Sequence, residues 1–430
     1  MSLIFNVIDY GACAGAAELQ TKYIQATIDA CYAAGGGEVV IPAGIFRTAT
    51  IRLRSNITLH LLSGAVLEGS TDPEDYTHFL EDIVEPVSPI SDEDIKAMAD
   101  PFCRWSNALI KCYQAENVKI LGEEGSFIDG KNCYDPQGEE KYRGPHAIHM
   151  FRCHNIEYGG YTVRDSGNWS HTHFKCRNIY AHDLTVLGGH DGFHCRMCDN
   201  ILLENCQFYT GDDCVAGFDN QNMVVRNCYM DCACSAMRLG GTDILIDRCH
   251  THAPSRYGFR GSLSPEEKAA SAPTNETHRH TMHTPFLYFC DFPTKIRKTP
   301  GNITVQNCVF ENPNSFFRLW FDGKHPWSAN RCLNDIIFRN CRAIGVSMPL
   351  ELFSDKDEQV TFRLENVEIS AREGYEDVDF MHAENFKEIH FRNVKVSGYR
   401  HTPTIKTKTD GPIHLVDTEG IAIQKVEDYE

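Results

Sequence analysis

The stretch YTGDDCVAGF, residues 209–218, sets Asp212 and Asp213 side by side after Gly211. Upstream, GGHDGFHC (188–195) carries Asp191, 21 residues before Asp212. Clustered carboxylates repel, so their pKa values separate: one group keeps its proton while another stays ionised. That split supplies an acid and a base at one pH, as cleavage of a glycosidic bond requires. One group protonates the leaving oxygen and the other activates a water. An isolated Gly-Asp-Asp is equally well a turn whose aspartates bond the local backbone. The third acid moves the reading toward chemistry.

Whether the acids meet depends on the elements that carry them, and the chain around them repeats. CHNIEYGGYTV begins at Cys153, CRNIYAHDLTV at Cys176 and CDNILLENCQF at Cys198, steps of 23 and 22. A second series at Cys206, Cys228 and Cys249 has steps of 22 and 21. ITVQNCVF, IIFRNCRA, TFRLENVEI and IHFRNVKV continue the pattern. A period in the low twenties signals a solenoid. The regular leucine framework of a leucine-rich repeat is missing. Short β-branched runs broken by Gly, Asn and Asp predict instead an all-β parallel β-helix, with about three strands per coil and each coil burying its apolar face on its neighbours. A 21-residue offset then puts Asp191 and Asp212 at equivalent positions on adjacent coils, about 4.8 Å apart. In an ideal strand Asp213 points to the opposite face. For all three acids to share one cleft, the backbone must bend at Gly211.

The ends of such a stack need caps. TKYIQATIDACYAAGGG (21–37) has apolar residues at helical spacing before a glycine stop, which predicts an N-terminal capping helix. SDEDIKAMA (91–99) predicts a second short helix. We read one solenoid domain over 1–430: a cap and first coils to about 100, core coils with the acids over 100–250, an inserted loop over 251–300, and further coils with a cap over 300–430. The insert is polar and Pro-containing. Loops of that length commonly serve as lids or cleft walls; a disordered surface insertion is the alternative.

Composition narrows the partners. With 41 basic and 59 acidic residues the net charge is −18, which excludes nucleic acid, whose phosphates demand a basic field. No stretch reaches the roughly 18 apolar residues of a membrane span, and MSLIFNVIDYGACAGAAEL lacks the basic and apolar regions of a leader. The 19 cysteines lie mostly in strand-like runs, with one CxxC at Cys195 and Cys198 and no zinc-type pair of pairs. They read as free packing thiols in a reducing compartment. The expectation is a cytoplasmic protein, with neither metal nor organic cofactor.

Several runs resemble a known family: FNVIDYGACAGAAELQTKYIQATIDACYAAGGGEVVIPAGIF, ENVKILGEEGSFIDG, RGPHAIHMFRCHNI, GNWSHTHFKCRNI and the Gly-Asp-Asp itself. They are similar to the polygalacturonase-like glycoside hydrolases of family 28, pectin-degrading enzymes, over most of residues 5–250. The resemblance implies a right-handed parallel β-helix and an inverting hydrolase. Of four family signatures, Gly-Asp-Asp is intact. Asn-Thr-Asp keeps only Asp191, with Gly189 and His190 replacing its partners. Gly-His-Gly falls in CACSAMRLGG, where Cys234 or Ser235 stands for the histidine. Arg-Ile-Lys corresponds to YGFRGSL, with Arg260 as the arginine and Ser262 at the lysine.

The resemblance implies Asp213 as general acid, Asp191 and Asp212 as base, and Arg260 on a polar or acidic group of the sugar. Arg238 and Arg256 are candidate cations for the lost lysine, or surface ion-pair arginines. His190 and His194, flanking Asp191, are candidates for the lost histidine, or core and corner residues. Trp169, Trp320 and Trp327 offer faces for a sugar ring, or core packing. The expected partner is an oligosaccharide, cut from one end with the insert closing the cleft. Two rivals share the architecture: a lyase whose acids hold Ca²⁺, and a non-catalytic sugar-binding β-helix.

Overall fold

The computed structural model describes residues 3–76, 104–290, 296–321 and 331–429. Their thirty-five strands pair in parallel and stack as one right-handed β-helix. The predicted cap is present as α1 (Thr21–Ala33), which buries Ile24, Thr27, Ile28 and Cys31. That three-to-four spacing forms a single apolar stripe, and it closes the first coil. The helix expected at 91–99, like Trp327, lies outside the described residues.

The interior is built as ladders. Ile156, Ile179, Ile201, Met223, Ile244 and Ile303 stack rung on rung through successive coils and are all buried. β-branched and thioether side chains of one shape fill a repeating cross-section without voids. The eighteen described cysteines are free thiols; only Cys13 is exposed and Cys234 half-buried. Among the described residues no helix is long and apolar enough to cross a membrane.

Six strands position the acids: β1 (His171–Phe174), β2 (Phe193–Arg196), β3 (Gln207–Thr210), β4 (Val215–Arg226), β5 (Ser235–Asp247) and β6 (Thr284–Tyr288). Strands β1, β2, β4, β5 and β6 lie side by side as one face of the helix. The insert is shorter than expected, because the coil resumes at Thr284, inside the range 251–300. It also has structure of its own. Ser264 and Glu267 form a reciprocal capping box that starts the short helix α2 (Pro265–Ala269).

Candidate active site

The acids sit where β3 ends and the next face begins, in the corner Gly211–Cys214. The predicted bend is there, and Gly211 is required by close approach: a Cβ would collide with the Gly258 carbonyl of the insert. The register corrects the expected pairing. Phe193 pairs with Val215, and the Gly192 N–H donates to the Asp213 carbonyl at 2.9 Å. The step across these coils is therefore 22 residues, which stacks Asp213, rather than Asp212, on Asp191. Two ladders result. Asp191, Asp213, Ser235 and Thr284 form one. His190, Asp212, Cys234 and His283 form the other.

Cations fill the space between rungs. Arg238 donates through Nε to Asp213 Oδ2 and lies 3.7 Å from Asp191 Oδ2. It is a bridge within the acid cluster, with its side chain 15% exposed. Asp213 Oδ1 accepts the Ser235 N–H at 3.0 Å. Both Asp213 oxygens are thus acceptors. Asp212 Oδ2 accepts from Arg143 at 3.1 Å, while among the described residues nothing bonds its Oδ1. Asp191 Oδ2 accepts from His194 Nδ1 at 2.8 Å; its Oδ1 is buried without a partner. Burial pushes Asp191 well above the usual carboxylate range, Asp212 and Asp213 push the same way, and Arg238 and Arg143 oppose. Burial also raises Asp213, against Arg238.

The two candidate histidines are buried and neutral. Arg196 donates to His194 Nε2 at 3.1 Å, so Nδ1 carries the proton that His194 gives to Asp191. Burial, then Arg196 and Arg238, hold His194 well below its ordinary pKa. Trp169 lies flat on it, 3.8 Å away at 4°. His194 therefore orients Asp191, and Trp169 braces His194 rather than facing a ligand. His190 Nδ1 accepts from Arg143 at 2.9 Å, which makes it part of the support of Asp212.

Arg260 departs from expectation. It is 2% exposed, it donates to the Ala272 carbonyl at 2.9 Å, and its stem fills the space that a side chain at Gly189 would need. It locks the insert against the acid corner and presents no free face to a sugar. Arg256 lies over Tyr209 and Tyr257, away from the acids. Trp320 donates to Glu351 Oε2 at 3.0 Å, three coils beyond Asp213 along the same face.

Three participants escaped sequence reading. Arg143 lies in RGPHAIHM, a run whose likeness was seen while its arginine gave no local pattern. His283 comes from the insert; its N–H donates to the Cys234 carbonyl at 2.6 Å. Burial, with Arg279 and Arg318, lowers it to about 4, and Asp212 opposes. Trp105 packs edge-on against Trp169 at 5.3 Å and His146 at 4.7 Å, and bonds Glu139 at 3.0 Å. On the N-terminal side of the acids the face is thus filled with rings. On the C-terminal side Cys234, Arg238, Arg279 and His283 are only partly covered.

Asp212, Asp213 and Cys234 bring one donor atom each within 4.8 Å of one another. This is the set among the described residues that could hold a metal. Each carboxylate in it is already paired with a guanidinium, and a thiol suits soft metals rather than Ca²⁺.

Residues 97–234, which span all three acids, match the model of glycosyl hydrolases family 28. A probable polygalacturonase of Vitis vinifera is 28% identical over 223 residues, covering 49% of this chain and 43% of that protein. Mannuronan C5-epimerase AlgE4 of Azotobacter vinelandii is 41% identical over 220 residues, 48% of this chain and 35% of that one. The chain thus spans less than half the length of these relatives. The crystal structure of a hyperthermoactive exopolygalacturonase from Thermotoga maritima superposes with a TM-score of 0.68, covering 92% of each chain at 16% identity; at that identity the likeness is one of fold. With the family model lying on the coils that hold the acids, the chain is a divergent relative of the glycosyl hydrolases of family 28.

Proposed function

We propose that the chain is a glycosidase that removes sugar from one end of an acidic, pectin-type oligosaccharide, by direct attack of water with inversion. One observation carries this reading: three buried acids meet on one corner, Asp191 and Asp213 share Arg238, and Asp212, the most exposed, keeps an unbonded oxygen. The proton donor must hold a hydrogen on an oxygen aimed at substrate. Asp213 is ill suited, because both its oxygens accept hydrogen bonds that favour the charged form. Asp212 Oδ1 is free and Asp212 is the most exposed of the three, at 8%. We therefore assign Asp212 as general acid, in place of Asp213. Asp191 is its diagonal neighbour across the two ladders. Asp191 is the base, and Asp213 with Arg238 holds the water and steadies the charge.

Action from one end is supported by the asymmetry of the face. The rings of Trp105, His146 and Trp169 occupy the N-terminal side, so an oligosaccharide extends only over the C-terminal coils. The wall is this aromatic block; the insert closes the flank instead. The family match and the polygalacturonase relative support a pectin-type substrate. The free thiols support a reducing, cytoplasmic setting.

The epimerase relative gives a second reading, in which the acids move a proton at C5 of a uronic acid without cutting the chain. Product analysis on uronic and neutral oligosaccharides separates these readings. A saturated monosaccharide of inverted anomeric form, absent with Asp212→Asn, supports the hydrolase. An unsaturated product means a lyase, and unchanged length with altered C5 configuration means an epimerase. Binding without any product leaves only a sugar-binding β-helix.

A further inference from the structure

We propose that Arg279, carried by the insert, sets substrate specificity by taking an anionic group, a carboxylate, of the sugar at the open side of the acid corner. This rests on the hydrolase reading above and names the residue that recognises the acid sugar.

The insert leaves the helix after His252 and returns in register, so that His283 becomes the rung after Cys234 in the ladder of Asp212. The segment just before His283 is strapped to the segment at Phe259. The Phe259 N–H donates to the Arg279 carbonyl at 2.8 Å, and the Arg279 N–H donates to Ser262 Oγ at 3.1 Å. This fixes the Arg279 backbone beside Gly258, whose carbonyl touches Gly211 of the acid corner. The guanidinium then lies over the Phe259 ring, 4.1 Å from its centre. Its Nε is buried without a hydrogen-bond partner, and among the described residues no acid pairs with it.

A buried, unbonded Nε is shared by Arg260 and Arg318; what sets Arg279 apart is that among the described residues its guanidinium has neither an acid nor a carbonyl as partner. The other arginines around the acids are committed: Arg143 to Asp212, Arg238 to Asp213, Arg318 to Glu351 at 3.1 Å, and Arg260 to a backbone carbonyl. In a chain of net charge −18, a half-covered guanidinium stacked on a ring and left without a counter-charge is a pre-formed anion receptor. Its planar fork matches a carboxylate. Its field reaches the open side of the site, since it acts on both Cys234 and His283. His283 stands beside it as a neutral donor. Sequence comparison assigned this role to Arg260, which the fold has used to anchor the insert.

The test compares wild type, Arg279→Gln and Arg279→Lys on trigalacturonate and on its methyl ester, measuring cleavage and, separately, binding by calorimetry. Wild type is expected to prefer the acid form. Arg279→Gln should lose roughly 10- to 100-fold in kcat/KM on the acid form and little on the ester, as removal of a charged hydrogen bond does. Arg279→Lys should recover part of that loss and keep the preference. Equal loss of Arg279→Gln on both substrates, or none, overturns the proposal, as does a wild type that cleaves the ester or a neutral sugar equally well while the hydrolase reading stands. Binding of the acid form with the expected Arg279 dependence but no cleavage overturns the hydrolase reading and keeps the receptor. Failure of wild type to bind or cleave either substrate overturns both.

Discussion

Two corners of the same coils obey the same step and are built on opposite principles. At one, Asn117, Asn155, Asn178, Asn200 and Asn222 stack with amide contacts of 2.8–2.9 Å, each in the left-handed backbone region. An amide both donates and accepts, so like satisfies like without any other residue. At the other, Asp191 stacks on Asp213, and Asp212 stands on the neighbouring ladder. A carboxylate only accepts, so like opposes like, and Arg143, Arg238 and His194 are needed between rungs. The first corner stabilises every coil. The second costs stability and in return holds pKa values apart. Functional sites are where a repeat breaks its own rule.

The largest effect should come from removing the proton that this second corner delivers. Asp212→Asn keeps shape and the acceptor for Arg143 and loses the acid. A fall of about 10³-fold in kcat, with the fold intact by circular dichroism, is expected, the upper part of the range for general acid catalysis. Asp213→Asn should fall too, but by weakening Arg238, so that its KM and kcat both change. If Asp213→Asn takes the large loss in kcat and Asp212→Asn retains activity, the two ladders have been assigned the wrong way round.

Asp191→Asn tests the cost. It should lose about 100-fold or more in activity, yet gain stability at pH 7 by about 1 kcal/mol. The sign follows from linkage. Asp191 has a folded pKa raised above its unfolded value of about 3.9, so folding takes up a proton. Its contribution is favourable below the unfolded value and is lost as pH rises through the folded one. The variant's advantage in Tm should therefore grow above about pH 4 and close below it. A variant less stable than wild type at pH 7 and level with it at pH 3 would reverse the assignment. The same group predicts that wild-type activity rises with pH as Asp191 ionises.

How much of this was legible in the sequence differs between the corners. The solenoid was, because a period repeated many times declares itself, and α1 was, from its helical spacing before a glycine stop; the amide ladder of the Asn corner was not drawn from the repeat. The three acids were legible, since Gly-Asp-Asp and a third Asp one coil away are enough to place a cluster. Their pairing was not. A repeat whose steps are 21, 22 and 23 leaves one residue of slack, and one residue decides whether Asp212 or Asp213 lies on Asp191. The strand register and the hydrogen bond from Gly192 to Asp213 settle it. Arg143 and Arg279 were also out of reach. Both reach the site from irregular segments, where no periodicity links a residue to the coil it meets. Arg260 shows the converse failure: a motif position kept its residue type while the insert changed its task.

A smaller effect should follow from opening the aromatic side of the site. Trp105 is the outermost ring of the block and is only partly buried. Trp105→Ala should slow release of the terminal sugar by roughly tenfold, as His194 and Asp191 lose part of their bracing through Trp169. It should also yield some internal cleavage products, visible by chromatography of a longer oligosaccharide. A product pattern unchanged from wild type would mean that the rings do not form the end wall.

The smallest effect belongs to the corner without chemistry, and it isolates what the stack itself contributes. Asn178 donates to Asn155 and accepts from Asn200, both at 2.9 Å, with φ at 56°. Asn178→Ala removes both bonds and puts a Cβ-bearing residue with no local hydrogen bond in the left-handed region, for an expected loss of about 1–2 kcal/mol. Asn178→Gly removes the same bonds but has no backbone penalty, so it should lose less than about 1 kcal/mol. Asn178→Asp still accepts from Asn200 and can no longer donate to Asn155, which makes one corner resemble the other. It should fall between the two at pH 7 and recover toward wild type as the carboxyl protonates below about pH 4. All three should keep wild-type kcat/KM, measured on the same oligosaccharide. If the Ala and Gly variants lose equally, the ladder is held by its amides and the left-handed backbone costs nothing. If activity falls in step with stability, the coils transmit strain from one corner to the other, and the two are not independent.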